Sequence, residues 1–156
     1  MPRSIAWLFA SLLLAVAGPE ASAQVTSQVT PHGGMLRNPD VSASQIVFVY
    51  ANDLWVVDRE GGEATPLASP PGAEGFARFS ADGKTVAFMG NYEGGLDLYT
   101  IPVSGGVPER LTHHPATERL CDWTPDGGLL FYARGITGHP RGSQLFTVSA
   151  NGGLPR

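Results

Sequence analysis

The sequence predicts an all-β fold built from tandem repeats, and three observations support this prediction. A ten-residue segment recurs with similar sequence at residues 53–62, 97–106 and 144–153. Gly61, Gly105 and Gly152, which close these segments, are 44 and then 47 residues apart, and one blade of a β-propeller is roughly 40–50 residues long. The 20 Gly and 13 Pro suit a chain of short strands and turns. We therefore predict an incomplete β-propeller of about two and a half four-stranded antiparallel blades.

The bulk composition is that of one folded domain without a basic face. Hydrophobic residues make up 42% and charged residues 15% of the 156 positions, which is typical of a globular chain. The formal net charge of −4 argues against nucleic acid or an anionic membrane as a partner, because both require a positively charged surface.

The N-terminus has the features of a secretory signal peptide. A positively charged start precedes an apolar run at residues 5–17, which is shorter than the roughly 20 residues that span a membrane. A small-x-small site at residues 21–23 predicts cleavage before Gln24. An uncleaved membrane anchor is the alternative. We expect residues 1–23 to be a signal peptide, residues 24–38 a lead segment, and the mature protein to be periplasmic or secreted.

The repeat extends beyond the ten-residue segment and divides the chain into blades. Residues 63–79 align with residues 107–123 without a gap, and this alignment pairs Glu74 with Glu118. The predicted partial propeller covers residues 39–156, with blades at about 40–79, 80–123 and a truncated 124–156.

Each copy predicts strands in the same order. Asp82-Gly83 and Asp126-Gly127 mark tight hairpin turns, in which Gly supplies a positive φ. Continuous apolar runs follow these turns at residues 85–89 and 129–133, and they predict inner strands that are buried on both faces. A similar run at residues 46–50 follows a degenerate copy of the turn that lacks Asp-Gly. The proline-bearing segments after each Gly-Gly pair predict outer strands. The third copy carries about three extra residues at 139–141, which predict a longer loop.

The number of repeats is too small for a closed ring. A propeller closes with typically 4–8 blades, and the last residues of this sequence align inside the third outer-strand region. We therefore expect a piece of a longer protein or a truncated gene product. Because the faces meant for missing blades would be exposed, residues 24–156 alone are expected to be poorly soluble, oligomeric or partly unfolded.

Three segments of the sequence match a known family: Leu-Arg-Asn-Pro-Asp at 36–40, the run at 46–57, and Arg-Leu-Thr-His-His-Pro at 110–115. With these segments, residues 31–156 resemble the N-terminal propeller of tricorn-type proteases and, more broadly, the repeat propeller shared with the periplasmic TolB protein. It implies a six- or seven-bladed propeller that filters or channels peptides toward a serine-peptidase domain, which follows together with a PDZ-like domain. Ala81 stands where the family usually has Pro, and the domains that carry catalysis are absent from this sequence.

Three functions follow as hypotheses. The first is a substrate-gating or scaffolding propeller of an exported tricorn-like serine peptidase, with peptides or proteins as partners and a possible homo-oligomeric parent. The second is a non-enzymatic TolB-like propeller that binds proteins in the envelope, and the third is the propeller of an exported amidohydrolase. In each case we predict no catalytic, cofactor-binding or metal-binding residue in this chain, and no peptidase activity from it alone.

The histidines and repeated aspartates fit structural roles. His113-His114 aligns with Ser69-Pro70, so the loop does not require imidazole, and a metal site needs three or four convergent ligands. His32 and His139 have no partner by spacing. Asp82 and Asp126 precede Gly in repeated turns and are interpreted as turn formers rather than acid–base groups or calcium ligands, and Asp53 and Asp97 as strand-end hydrogen-bonding residues, since Gln144 replaces them in the third copy.

The only cysteine and the repeated aromatic position are also interpreted as structural. Cys121 aligns with Ala77 and is expected to be a small, buried, inert core residue that cannot form a disulfide within the chain. No Gly-x-Ser-x-Gly nucleophile motif occurs. Trp55, Tyr99 and Phe146 are one repeated position and are expected to pack between blades.

Overall fold

The computed structural model describes residues 32–68, 70–138 and 142–156. The predicted signal peptide, most of the lead segment, and the predicted insertion at 139–141, including His139, lie outside the described residues.

In the described part of the chain, eleven strands form three antiparallel sheets, and in each sheet consecutive strands are neighbours. The first sheet contains β1 (Arg37–Val41), β2 (Gln45–Tyr50), β3 (Asp53–Asp58) and β4 (Thr65–Ala68), after one 3-10 turn at Gly33–Met35. The second contains β5 (Glu74–Phe79), β6 (Thr85–Gly90), β7 (Asp97–Pro102) and β8 (Glu109–Arg110). The third contains β9 (Glu118–Trp123), β10 (Leu129–Ala133) and β11 (Gln144–Val148). The predicted all-β fold of two four-stranded units and an incomplete third is confirmed.

The repeated aromatic residues occupy equivalent places in the three sheets. Trp55 pairs across the ladder with Phe48, Tyr99 with Phe88, and Phe146 with Phe131. The rings of Phe88 and Tyr99 stack at 5.7 Å, and those of Phe131 and Phe146 at 5.6 Å. The sequence repeat is therefore a repeat of one structural module.

The sheets begin one strand earlier than the predicted blades. The sequence predicts that one blade ends at residue 79 and the next at residue 123. In the structure β5, which ends at residue 79, pairs with β6, and β9, which ends at residue 123, pairs with β10. The physical reason is that a tandem repeat in sequence has no defined starting point. The Asp-Gly turns join β5 to β6 and β9 to β10 as hairpins, so each turn lies inside a sheet. The first sheet likewise begins at Arg37, within the predicted lead segment.

The core consists of two apolar layers, one on either side of the second sheet. We call the interface between the first and second sheets the first seam, and the interface between the second and third sheets the second seam. Each seam consists of one apolar layer and the hydrogen bonds beside it. The two central strands of the second sheet, β6 and β7, are buried along nearly their whole length. The prediction that β2 and β10 are buried on both faces is wrong, because they alternate between buried and more exposed residues. A sheet with one neighbour buries one face only.

The last residue lies at the position of an outer strand. Arg156 and Thr147 exchange both backbone hydrogen bonds, at 2.9 Å each, and this pair corresponds to Thr100 with Glu109 in the second sheet.

Candidate functional site in the seams between the sheets

A buried glutamate crosses the first seam. Glu74 is the first residue of β5 and only 6% of it is exposed. Its N–H donates to the Asn52 carbonyl at 2.8 Å, and its Oε2 accepts the Leu54 N–H at 2.6 Å. The Tyr92 hydroxyl donates to Oε1. One side chain therefore satisfies the N–H at the start of β3 in the preceding sheet, which would otherwise be an unpaired donor at a buried site.

The second seam repeats this arrangement with a hydroxyl inserted. Glu118, the first residue of β9, is fully buried, and its N–H donates to the Leu96 carbonyl at 3.0 Å. The Thr112 hydroxyl accepts the Leu98 N–H at 3.0 Å and donates to Glu118 Oε2. Leu98 corresponds to Leu54 in the repeat, so both glutamates serve the same backbone position of the preceding sheet. Glu118 Oε1 is buried with no hydrogen-bond partner among the described residues.

Burial dominates the ionisation of both glutamates. It raises the pKa of Glu74 to about 7, against the opposing effects of the Tyr92 and Leu54 hydrogen bonds. It raises the pKa of Glu118 to about 7 as well, and the Thr112 hydrogen bond opposes the rise. The two residues align in the sequence repeat, but the alignment alone predicts no role for them. One feature of the sequence could have indicated their role: an acidic residue recurs at the same position of the repeat, at the start of a strand that is otherwise largely apolar.

Arg110 binds several polar groups at one end of the second sheet. The Arg110 guanidinium pairs with Asp97 at 2.9 Å and also with Glu93, and Arg110 Nε donates to the Thr112 carbonyl at 2.8 Å. Asp97 is 2% exposed, so its charge is compensated by this cation at close range. The predicted strand-end role of Asp97 therefore takes the form of an ion pair.

The repeated aspartates of the two turns accept local hydrogen bonds. Asp82 Oδ1 accepts from the Ser80 hydroxyl at 2.7 Å and from the Lys84 N–H at 3.1 Å, and Asp126 Oδ1 accepts from the Thr124 hydroxyl at 2.5 Å. These side-chain hydrogen bonds lower the pKa of both carboxyls. Each aspartate has the geometry of a turn former.

Two of the described histidines, His32 and His114, accept local backbone hydrogen bonds. His114 Nδ1 accepts the Ala116 N–H at 3.0 Å, and His32 Nδ1 accepts the Gly34 N–H at 3.2 Å. Within residues 32–68, 70–138 and 142–156, no group of three or more His, Cys, Asp or Glu side chains could hold a metal ion. The same residues contain no helix long and apolar enough to cross a membrane.

Cys121 is partly exposed, and the expectation of full burial is wrong. Its aligned partner Ala77 is 0% exposed and packs in the first seam. Both strands carry a β-bulge at this point, because Phe76 and Ala77 lie between the paired residues Gly75 and Arg78, and Cys121 lies between Leu120 and Asp122. The buried residue of the bulge is Ala77 in β5 and Leu120 in β9, so the alignment does not predict which of the two side chains faces the core.

An open groove lies beside the second seam, at the edge formed by the hairpin turns. It has a volume of about 650 Å³ and is lined by residues that include Ser80, Asp82, Trp123 and Asn151. These side chains come from hairpin turns and strand ends. They do not form a nucleophile–base arrangement.

The comparisons with known proteins agree with this architecture. The family described as the tricorn protease N-terminal beta propeller domain matches residues 33–156. The chain is 34% identical over 110 residues to putative tricorn protease homolog 2 of Streptomyces coelicolor, covering 67% of this chain and 9% of that protein. A crystal structure of the tricorn protease superposes with a TM-score of 0.66 at 26% identity, over 79% of this chain and 13% of that one.

A second solved propeller shows the same fold. TolB from Acinetobacter baumannii superposes with a TM-score of 0.62 at 22% identity, over 78% of this chain and 31% of that one. This chain thus spans about a tenth of the length of the tricorn homologue that it matches. The repeated four-stranded modules and the match over residues 33–156 establish that the chain belongs to the tricorn protease N-terminal β-propeller family.

Proposed function

We propose that this chain is the substrate-gating or scaffolding propeller segment of an exported tricorn-like serine peptidase, and that peptides or unfolded proteins are its partners. The match of the tricorn N-terminal propeller family to residues 33–156 carries the proposal. The carboxylates in the seams and the aspartates of the hairpin turns make structural hydrogen bonds, so we assign peptide hydrolysis to other domains of the complete protein.

The gating role is tested in the protein encoded by the complete reading frame. Fluorogenic peptides of increasing length and an unfolded protein are used as substrates, and Glu118→Ala, which opens the second seam, is compared with wild type. We expect short peptides to be cleaved at equal rates and long substrates to be cleaved faster by the variant. Equal effects on all lengths would contradict gating, and the absence of any peptidase domain in the encoded protein would contradict the peptidase itself.

Export is tested separately. We expect the mature protein in the envelope or extracellular fraction with Gln24 at its N-terminus, as determined by N-terminal sequencing. A full-length N-terminus in the cytoplasmic fraction would contradict export.

A second candidate is a non-enzymatic TolB-like propeller that binds envelope proteins. The structural similarity to TolB over 78% of the chain favours it. The length assay separates the two, because a TolB-like protein would cleave no substrate and would instead retain protein partners in a crosslinking experiment on intact envelopes.

A further inference from the structure

The two glutamate contacts reveal a rule for how consecutive sheets dock. At each seam the later sheet contributes a glutamate at the start of its first strand, and this side chain satisfies the first inward leucine N–H of the earlier sheet. The contact is direct at Leu54 and passes through the Thr112 hydroxyl at Leu98. The backbone hydrogen bond beside it is also repeated, from Glu74 to Asn52 and from Glu118 to Leu96.

The third sheet presents the same surface without a neighbouring sheet. Leu145 corresponds to Leu54 and Leu98 by repeat and register. Those two leucines are 0% exposed, whereas Leu145 is 67% exposed. Tyr132, opposite Leu145 in the ladder, is 38% exposed, and its counterpart Met89 is 2% exposed. The open face therefore continues the surface that the second sheet buries in the second seam.

The first sheet does not carry the matching glutamate. Arg37 pairs with Val49 in the first sheet, and Gly75 pairs with Met89 in the second, so Arg37 and Gly75 are equivalent. The residue before each is therefore also equivalent, and Leu36 occupies the position of Glu74. Leu36 is 53% exposed and offers no side-chain acceptor. A second copy of this chain, docked head to tail, would thus bring an apolar side chain to the Leu145 N–H.

We propose that the open face of the third sheet docks a further repeat of the same polypeptide whose first strand begins with a glutamate, and that this glutamate satisfies the Leu145 N–H. This inference rests on the proposed function, because it requires that the complete propeller contain more repeats. What it adds is the chemistry of the docking contact. A glutamate at the start of the first strand identifies the docked repeat, and Leu36 prevents the first sheet of a second copy from accepting the Leu145 N–H.

The test extends the full chain by one repeat in register. Residues 66–112 are appended after Arg156, because Arg156 stands where Thr65 and Glu109 stand in the earlier repeats. The appended segment completes the outer strand of the third sheet and adds a copy of the second sheet, including a second Glu74. Matched versions carry Glu74→Gln or Glu74→Ala in the appended copy only. Amide hydrogen exchange is measured at Leu145, with the Leu54 amide as an internal reference.

We expect exchange of the Leu145 amide to slow roughly 100-fold or more in the extended chain relative to the unextended one. The Gln version should keep this protection, because its side-chain carbonyl still accepts a hydrogen bond, and the Ala version should lose it while the appended sheet remains protected. Glu74→Ala at the native position should expose Leu54 in the same way.

Three results would overturn the proposal. The first is full protection of Leu145 in the Ala version. The second is an unprotected appended repeat while the first two sheets are folded. The third is concentration-dependent protection of Leu145 in the unextended chain. The last result would identify a second copy as the occupant. None of these outcomes bears on peptide cleavage by the complete protein, so failure here is distinct from failure of the proposed function.

Discussion

At the scale of the residue, the polar side chains inside the seams are more informative than the apolar ones. A buried hydrogen-bond acceptor needs a buried donor. The Glu74 and Glu118 carboxyl groups find their donors in the preceding sheet, not in their own. The same burial makes their protonation state part of the stability of the seams.

Stability should depend on pH through the two seam glutamates. Their pKa is about 7 in the folded protein and 4.5 without burial, so the folded state holds protons that the unfolded state has released between these values. Their contribution is present below pH 4.5 and is lost as the pH rises through about 7. We expect a loss of about 1–3 kcal/mol for each group.

Urea unfolding at pH 5 and pH 8 measures this effect. The neighbouring charged groups are Asp53 for Glu74, and Asp97 and Arg110 for Glu118. The double variant Glu74→Gln/Glu118→Gln should remove most of the difference between the two pH values. An unchanged pH dependence in that variant would show that other groups control it.

Arg110→Ala should destabilise the second sheet by about 2–4 kcal/mol, because it leaves the buried Asp97 carboxylate without its cation. Arg59→Ala is the control, since Arg59 is exposed on a turn, and it should change stability by less than about 0.5 kcal/mol. Thermal unfolding measures both. Equal effects of the two substitutions would show that the Asp97 pair contributes nothing specific.

At the scale of the element, hairpins and loops position the strands that form each seam. The Asp-Gly turns keep the first two strands of a sheet together, and the loop between β4 and β5 brings Glu74 to the preceding sheet. In that loop Gly72 has a φ of +146°, and a Cβ there would lie 2.3 Å from the Asn91 carbonyl oxygen. The connection between the sheets thus depends on a close approach between two backbones.

Gly72→Ala should therefore destabilise the fold by more than about 3 kcal/mol, because both the backbone conformation and the Asn91 carbonyl oppose a side chain. Gly61→Ala is the matched control: its φ is +100°, but a Cβ would meet nothing within 4 Å. The control should cost only about 1 kcal/mol of conformational strain. Urea midpoints compare the two, and similar values would refute the importance of the close approach.

At the scale of the whole molecule, the described residues close two seams and leave the outward faces of the first and third sheets without a neighbouring sheet. Equivalent leucines show the consequence, because Leu54 and Leu98 are buried between sheets while Leu145 is exposed. A module of this kind buries one face against the preceding module and the other against the following one.

Leu145→Lys should increase the monomeric fraction of residues 24–156 with little loss of stability, because it places a charge on an open apolar face through which copies associate non-specifically, without the glutamate contact to the Leu145 N–H. Leu98→Ala, at the same position of the previous repeat, should instead cost about 2–5 kcal/mol through the cavity that it leaves in the second seam. Sedimentation velocity and thermal unfolding distinguish the two effects. Monomeric wild-type protein with a sharp cooperative transition would contradict the expected association.

The sequence by itself determined the modular all-β fold, because the repeat places strand-forming runs, turn glycines and paired aromatics at a constant spacing. The tertiary structure decided where each sheet begins and which members of a repeated position are buried. It also showed that Leu120 rather than Cys121 is the buried residue at the bulge of β9, and that Glu74 and Glu118 act between sheets. The physical reason is that burial and hydrogen-bond partners depend on the neighbouring module, whereas a repeat in sequence records only what the modules have in common.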